Sequence, residues 1–242
     1  MAGPQCCESP PPKDHPFVGV GRLEPFPDLT AYVTGSSDAK DAIILLSDIF
    51  GYEAPNLRKL ADKVAAAGYF VVVPDYFSGD YFSGDPYAPN SLPDWLKNHS
   101  PEKGFEDTLK VIDLLKSRGI TNIGAAGFCW GAKVVVELAK VEGIKAGVLL
   151  HPAFVTVDDI KAVVKVPIAI LGAEVDMISP PELVKQFGVI LSEKSELASF
   201  VHIYPGVHHG WTIRYDENDE IAVRNAEVAN TKMLEWFDKY MK

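Results

Sequence analysis

The stretch from Thr121 to Val136 constrains the fold of this chain more than any other. A run of small and β-branched residues ends at Gly127, and a helical pattern begins at Trp130. The join reads Gly-Phe-Cys-Trp-Gly, which is a nucleophile elbow with cysteine in place of serine. The two glycines are required because Cys129 must sit on a strained turn with its side chain exposed. The segment therefore predicts a strand, a sharp turn carrying Cys129, and a helix.

The predicted helix bears on the chemistry of the cysteine. Its first N–H groups and its dipole would lie beneath the Cys129 sulfur and favour the thiolate, which is the reactive form. A buried structural cysteine is the alternative interpretation, because cysteine is among the most buried residue types. The groups that follow Cys129 along the chain decide between the two interpretations.

Composition narrows the class of protein. Of 242 residues, 47% are hydrophobic and 23% are charged, which is typical of a globular domain, and we expect a single α/β domain over residues 17–242. The formal net charge of −10 argues against nucleic acid and anionic membranes as partners. Residues 1–16 are polar and proline-rich, so we expect a disordered tail that is neither a secretory signal nor a membrane anchor, and a cytoplasmic protein.

Strand and helix patterns alternate along the chain. Besides the strand before Cys129, strands are predicted over residues 29–33, 42–46, 69–73, 144–150, 166–171 and 199–204. Helices are predicted from Pro55, from Pro101 behind a Ser100 cap, from Trp130 to about Lys140, from Pro180 and Pro181, and over residues 223–240. Alternation of this kind predicts a mainly parallel, doubly wound sheet with helices on both faces.

Two further groups follow predicted strands. Asp176 comes shortly after strand 166–171, and His209 comes after strand 199–204. Nucleophile, acid and histidine in this order are typical of α/β-hydrolases, with Cys129 attacking, His209 transferring the proton and Asp176 orienting the imidazole. Glu174 and His208 are the competing candidates. Asp176 is favoured by its distance past the strand, and His209 by the glycine that follows it.

The remaining candidates concern the oxyanion and the other thiols. The backbone N–H groups of Trp130 and Ile49 are the expected oxyanion hole. Cys6 and Cys7 are interpreted as tail thiols without a role. No metal site is expected, because histidines and cysteines show no paired ligand spacing on a common element.

From about Ala31 onward the chain resembles the dienelactone hydrolase family. Five stretches carry the resemblance: Ser47-Asp48-Ile49-Phe50-Gly51, Val73-Pro74-Asp75, Gly79 or Gly84 with Asp85-Pro86-Tyr87, Gly127-Phe128-Cys129-Trp130-Gly131 and His209-Gly210-Trp211. The sequence from Ile49 to Asn56 and the cysteine-bearing N-terminus look most like the plant branch of this family. The resemblance implies an α/β-hydrolase fold, a Cys-His-Asp triad, no cofactor, and a small ester or lactone as substrate. We expect a monomer or a weak homodimer.

The resemblance also implies roles around the triad. Asp48 matches the acid that keeps the resting cysteine protonated, and it is one methylene shorter than the glutamate of bacterial members. Arg214 matches one of two arginines that hold the substrate carboxylate, while the aromatic repeat over residues 75–84 contains no arginine to match the second. Tyr87 and Trp211 are further expected substrate-binding residues.

The chemistry of a thiolate narrows the substrate. A tetrahedral intermediate expels the better leaving group, so a cysteine hydrolase favours enol lactones, aryl esters and thioesters over alkyl esters and peptides. Plant sequences with this resemblance sometimes carry a glucanase label, so a glycoside hydrolase acting on mixed-linkage β-glucan is one alternative. It would require two flanking carboxylates, for which Asp48 with Asp176 or Glu174 is the candidate pair. A non-catalytic protein that keeps the hydrolase pocket for ligand binding is the other alternative.

Overall fold

The computed structural model describes residues 4–11, 19–85, 88, 91–141, 143–163 and 166–242. Within them, the strands are β1 (Arg22–Phe26), β2 (Leu29–Thr34), β3 (Asp41–Leu46), β4 (Phe70–Pro74), β5 (Asn122–Phe128), β6 (Ala146–Leu150), β7 (Ile168–Val175) and β8 (Ser199–His208). The helices are α1 (Pro55–Ala66), α2 (Ser91–Leu96), α3 (Pro101–Ser117), α4 (Trp130–Lys140), α5 (Val157–Ala162), α6 (Pro181–Ser192) and α7 (Glu220–Met241).

All eight of these strands form one sheet in the order β1-β2-β4-β3-β5-β6-β7-β8. β3 to β8 pair in parallel, while β2 pairs antiparallel with both β1 and β4. The predicted mainly parallel sheet is therefore confirmed. The carboxyl ends of β3, β5, β6, β7 and β8 meet at one edge, which is where an open α/β sheet places its ligands.

Helices cover both faces of the sheet, as predicted. Alternate residues of β3 point to opposite sides: Ile43 and Leu45 pack with α1 and α7, whereas Ile44 and Leu46 pack with α3 to α6. This alternation follows from the two-residue period of a strand, and it explains why the central strands are apolar throughout. Within the described part of the chain, no helix has the length and apolar character needed to cross a membrane.

Local sequence signals predict some boundaries of the helices and strands correctly but not all of them. Ser100 caps α3 as predicted, with its side chain accepting from the Lys103 N–H at 3.3 Å and Pro101 at the first helical position. β1, α2 and α5 have no counterpart among the predicted elements. β7 and β8 run past their predicted ends, because an irregular register after Ala173 restores pairing between Val175 and His208.

The elbow itself is crowded at the level of the backbone. Cys129 has φ of 52° and ψ of −107°, a conformation that costs free energy for any residue with a side chain. A Cβ on Gly127 would lie 2.2 Å from the carbonyl oxygen of Gly131, and a Cβ on Gly131 would lie 2.2 Å from that of Leu46. Both glycines are therefore needed to bring β5, α4 and β3 this close together.

Part of the segment that the sequence predicts to be disordered has a defined place in the structure. Pro4–Cys7 forms a 3-10 helix, and Gln5, Cys6 and Cys7 are buried. The Gln5 amide donates to the Val175 carbonyl at 2.9 Å and accepts from the Met177 N–H. Composition gives no indication of such tertiary hydrogen bonds. Residues 1–3 and 12–16 lie outside the described residues.

The crowding predicts how two glycine substitutions differ. Gly131→Ala should lower the free energy of unfolding by about 1–3 kcal/mol, because the new methyl group meets backbone that cannot move aside. Gly188→Ala within α6 is the matched control, since its Cβ would find only Val201 side-chain atoms, at 3.6 Å or more. It should raise the free energy of unfolding by about 0.5–1 kcal/mol through helix propensity. Urea denaturation measures both, and equal effects would contradict the assignment.

Candidate active site

The fold brings the predicted triad residues to one edge of the sheet. Cys129 follows β5, Asp176 follows β7 and His209 follows β8, and all three are buried. His209 Nδ1 lies 2.7 Å from Asp176 Oδ2. The other oxygen, Asp176 Oδ1, accepts from the N–H groups of Ile178 at 2.8 Å and Ser179 at 3.0 Å. The carboxylate is thus fixed by backbone donors and can orient the imidazole.

The two competing residues lie elsewhere. Glu174 is exposed, and its Oε2 accepts from the Gly206 N–H at 2.7 Å. His208 is exposed, whereas His209 is buried. Because adjacent residues of a strand end face opposite ways, His208 and His209 point to opposite sides. Glu174 is separated from the site by its exposure and by its hydrogen bond to Gly206.

The backbone of Cys129 is held at the start of α4. Its N–H donates to the Leu150 carbonyl at 3.1 Å, and its carbonyl accepts from the N–H groups of Ala132 and Ala153. Trp130 is the first helical residue, so its N–H has no acceptor within the helix and is available to an oxyanion. Ile49 lies in the loop after β3 and packs in the same core cluster as Cys129.

The side chain of Cys129 differs from the sequence prediction. It is fully buried instead of exposed, because the N-terminal segment covers it: the Cys6 sulfur lies 3.9 Å from the Cys129 sulfur. The two sulfurs and a ring nitrogen of His209 all lie within 4.8 Å of one another. Sequence spacing gave no sign of this grouping, because Cys6 and Cys129 are 123 residues apart.

The protonation of the site follows from its burial. Burial raises the pKa of Cys129 well above its usual value, and the contact with Cys6 and the Asp48 charge raise it further, while Arg214 opposes them. Burial, Cys6 and Asp48 thus act against the thiolate that the helix N-terminus was expected to favour. Burial acts to lower the pKa of His209, but its hydrogen bond to Asp176 and its contact with Cys6 outweigh burial and raise it. The resting site holds a neutral thiol beside a basic imidazole.

A buried ion pair lies beneath the thiol. Asp48 Oδ2 lies 3.4 Å from Arg214 Nε, and Asp48 Oδ1 accepts from the Phe50 N–H at 3.0 Å. Burial raises the pKa of Asp48, and the nearby guanidinium opposes that rise. Arg214 Nη1 donates to the carbonyl oxygens of Cys6 at 2.7 Å and Glu8 at 2.8 Å. The predicted carboxylate-binding arginine thus binds backbone oxygens of the N-terminal segment.

Sequence reasoning missed His151. It directly follows β6 at the same edge, and its ring centroid lies 5.1 Å from that of His209. Its Nε2 lies 2.8 Å from Thr212 Oγ1, and burial followed by the nearby His209 and Arg214 charges lowers its pKa well below 6.5. His151 therefore stays neutral and supports the imidazole of His209. Its place after an apolar strand was the available signal.

Of the two other expected substrate-binding residues, the structure describes only Trp211. The Trp211 ring is buried and packs against His151, with centroids 5.4 Å apart, and against Tyr204 at 5.5 Å. Tyr87 lies outside the described residues. Within the aromatic repeat, Tyr76 and Phe77 pack on the Trp130 ring at 5.5 Å and 5.0 Å, so the repeat supports the elbow helix.

Comparison with known proteins agrees with this architecture. The sequence model of the dienelactone hydrolase family matches residues 29–241. A Zea mays protein named endo-1,3;1,4-beta-D-glucanase is 46% identical over 169 residues, which are 70% of this chain and 54% of that protein, so the chain spans about half the length of this relative. The Homo sapiens carboxymethylenebutenolidase homolog is 32% identical over 233 residues and 93% of each chain.

A solved structure gives the same fold. The dienelactone hydrolase-like promiscuous phosphotriesterase from metagenomic libraries matches with a TM-score of 0.72 over 92% of this chain and 99% of its own. At 14% identity this likeness shows the fold alone. The family match across most of the sequence and the relatives above 30% identity show more: this chain belongs to the dienelactone hydrolase family of α/β-hydrolases.

Proposed function

We propose that this protein hydrolyses activated esters or enol lactones through a thioester on Cys129. The observation that carries the proposal is the buried His209–Asp176 pair, 2.7 Å apart, beside a cysteine on a strained strand-to-helix turn. Nucleophile, base and orienting acid then have the roles that acyl transfer requires. Membership of the dienelactone hydrolase family and the relative named carboxymethylenebutenolidase homolog support the same reaction class.

The proposed first half-reaction transfers the acyl group to sulfur. With Nδ1–H donating to Asp176, the Nε2 lone pair of His209 accepts the thiol proton as the Cys129 sulfur attacks the ester carbonyl. The backbone N–H groups of Trp130 and Ile49 would stabilise the tetrahedral oxyanion. The C–O bond to the leaving group then breaks, and that oxygen takes the proton from Nε2. In the second half-reaction His209 deprotonates a water molecule, which attacks the thioester and releases the acid and the thiol.

The proposed substrate carries a carboxylate. Arg214 Nη1 already holds two carbonyl oxygens, from Cys6 and Glu8, beside the buried thiol. A substrate carboxylate offers two oxygens with full charge, and a guanidinium binds them more strongly than neutral carbonyls. Such a substrate would therefore displace the segment around Cys6 and take its place on Arg214. In this proposal Arg214 alone binds the substrate carboxylate, which bacterial members hold with two arginines.

The glycosidase alternative is supported by the name of the maize relative, and the candidate carboxylates weigh against it. Asp176 accepts from two backbone N–H groups and His209, and Asp48 is fully buried against Arg214. A glycosidase requires one protonated acid and one free carboxylate on either side of a sugar. The glycosidase mechanism would also give no role to Cys129 and its strained backbone. The binding-protein alternative differs from ours in predicting no turnover.

Substitution of the nucleophile tests the central proposal. Cys129→Ala should reduce kcat/KM for aryl esters and enol lactones by about a thousandfold or more. Cys7→Ala, at a buried neighbouring thiol, is the control and should keep the wild-type rate. Both proteins are also assayed for sugar release from mixed-linkage glucan. Glucan hydrolysis that survives Cys129→Ala would favour the glycosidase, and labelling of Cys129 without turnover would favour a binding protein.

The pH dependence tests the role of Asp176. A raised His209 pKa means that the free base is lost early as the pH falls, so the acid limb of kcat/KM should have its midpoint above 6.5. Asp176→Asn removes the charge that holds this pKa up while burial still lowers it, so the midpoint should move to lower pH. The maximal kcat should also fall by about 10²- to 10⁴-fold, because the preferred tautomer is lost. Glu174→Gln is the matched control. An acid limb that moves equally in both variants would contradict the assignment.

Loosening the N-terminal segment tests the position of the substrate. Gln5→Ala removes two hydrogen bonds, each contributing about 0.5–1.5 kcal/mol, so the open form should gain about 5- to 150-fold in population. Because the structure is the closed form, KM for carboxylate-bearing lactones should fall accordingly, with kcat unchanged. Glu8→Gln is the control, because the backbone carbonyl of residue 8, and not its exposed side chain, contacts Arg214. An unchanged KM in Gln5→Ala would show that the substrate does not compete with this segment.

A further inference from the structure

We propose that Cys6, Cys129 and His209 form a Zn²⁺ site, with the N-terminal segment contributing one ligand and the elbow and the β8 end contributing the others. The two sulfurs lie 3.9 Å apart, and all three ligand atoms lie within 4.8 Å of one another. Tetrahedral zinc, with Zn–S of about 2.3 Å and Zn–N of about 2.0–2.1 Å, holds its ligand atoms roughly 3.5–3.8 Å apart. The sulfur pair is already near that spacing, and the widest pair needs to close by about 1 Å.

The surroundings of His209 are those of a zinc-binding histidine. Its Nδ1 is bound to Asp176 Oδ2 at 2.7 Å, while its buried Nε2 has no hydrogen-bond partner of normal geometry among the residues that the structure describes. A metal-binding histidine almost always donates its second nitrogen to a carboxylate or carbonyl, which fixes the tautomer and leaves the other lone pair for the metal. The hydrogen bond to Asp176 that orients His209 as a base in catalysis would therefore also orient His209 as a zinc ligand.

The charges of the site suit a divalent cation. Two thiolates neutralise Zn²⁺, and the nearby Asp48 and Arg214 form an ion pair of their own at 3.4 Å. A neutral cluster avoids the large cost of an uncompensated charge in a buried place. Thiolate and imidazole are ligands that zinc prefers, and a water molecule would complete the tetrahedron.

Cys6, the ligand from the N-terminal segment, is held in place by contacts that do not involve its sulfur. Gln5 is anchored to Val175 and Met177, and the Cys6 carbonyl accepts from Arg214. Cys7 is also buried but is not in the group of ligand atoms, so the two adjacent thiols are distinguished by their position. This difference supplies a matched control.

Bound zinc would keep the N-terminal segment over the site and occupy both the nucleophile and the base. That consequence for catalysis rests on the proposed function, whereas metal binding itself does not. Because Cys6 comes from a segment that the substrate must displace, zinc and substrate would exclude each other.

Metal titration of the full-length protein tests the site without any assay of activity. Calorimetry with Zn²⁺ should show one ion per chain, and Co²⁺ should give a thiolate-to-cobalt charge-transfer band together with tetrahedral d–d bands. Cys6→Ser should weaken Zn²⁺ binding by at least about tenfold, since even the loss of an outer partner costs 10- to 100-fold. Cys7→Ser should bind as the wild type does. Equal affinity in the wild type and Cys6→Ser, or cobalt spectra without a thiolate band, would overturn the proposal.

Ester hydrolysis then gives a separate measurement. Zn²⁺ should inhibit the wild type and Cys7→Ser alike, and Cys6→Ser should need at least about tenfold more zinc for the same inhibition. Inhibition that is identical in all three proteins would contradict a ligand role for Cys6. An absence of hydrolysis by every protein would count against the proposed function alone, because the calorimetric and cobalt measurements would still decide the metal site.

Discussion

Backbone contact between three segments determines the geometry of this site. Gly127, Gly131 and the Leu46 carbonyl approach so closely that neither glycine position has room for a Cβ. This contact forces the left-handed turn at Cys129, starts α4 immediately after it, and brings the β3 loop beside the elbow. The Asp176 and His209 positions then follow from the parallel order of β5, β6, β7 and β8, since each strand ends at the same edge. A small number of close backbone contacts thus places groups that are far apart in sequence.

Arg214 connects the site to the N-terminal segment. Its guanidinium pairs with Asp48 and holds two carbonyl oxygens, and it fills the space where a Cβ on Gly210 would lie. Gly210 has φ of 93°, so the residue after His209 must be glycine for both steric and conformational reasons. One buried cation therefore contacts the turn that carries the histidine, the acid near the thiol, and the backbone of Cys6.

The parts of this arrangement that the sequence predicts are those with a local signature. Alternating strands and helices, the glycines around Cys129, and polar residues just past apolar strands lead to a mainly parallel sheet and to Cys129, Asp176 and His209 at one of its edges. The site residues that were missed belong to no motif. His151 follows an apolar strand, as Asp176 and His209 do, but no neighbouring residues mark it as part of a catalytic pattern. The place of Cys6 depends on hydrogen bonds between Gln5 and the end of β7, which no pattern in a proline-rich tail reveals.

In the proposed reaction, the N-terminal segment controls both the access of substrate to the site and the ionisation of Cys129. Burial is the largest cause of the raised pKa of Cys129, and the contact with Cys6 is the next. Displacement of the segment by substrate would remove the Cys6 contact, while Arg214 remains near the sulfur. The thiol would therefore become easier to ionise when a substrate has taken the place of residues 5–8, and it would stay protonated when none has. Asp48, which remains in both states, limits how far the pKa falls, so His209 is still needed to take the proton.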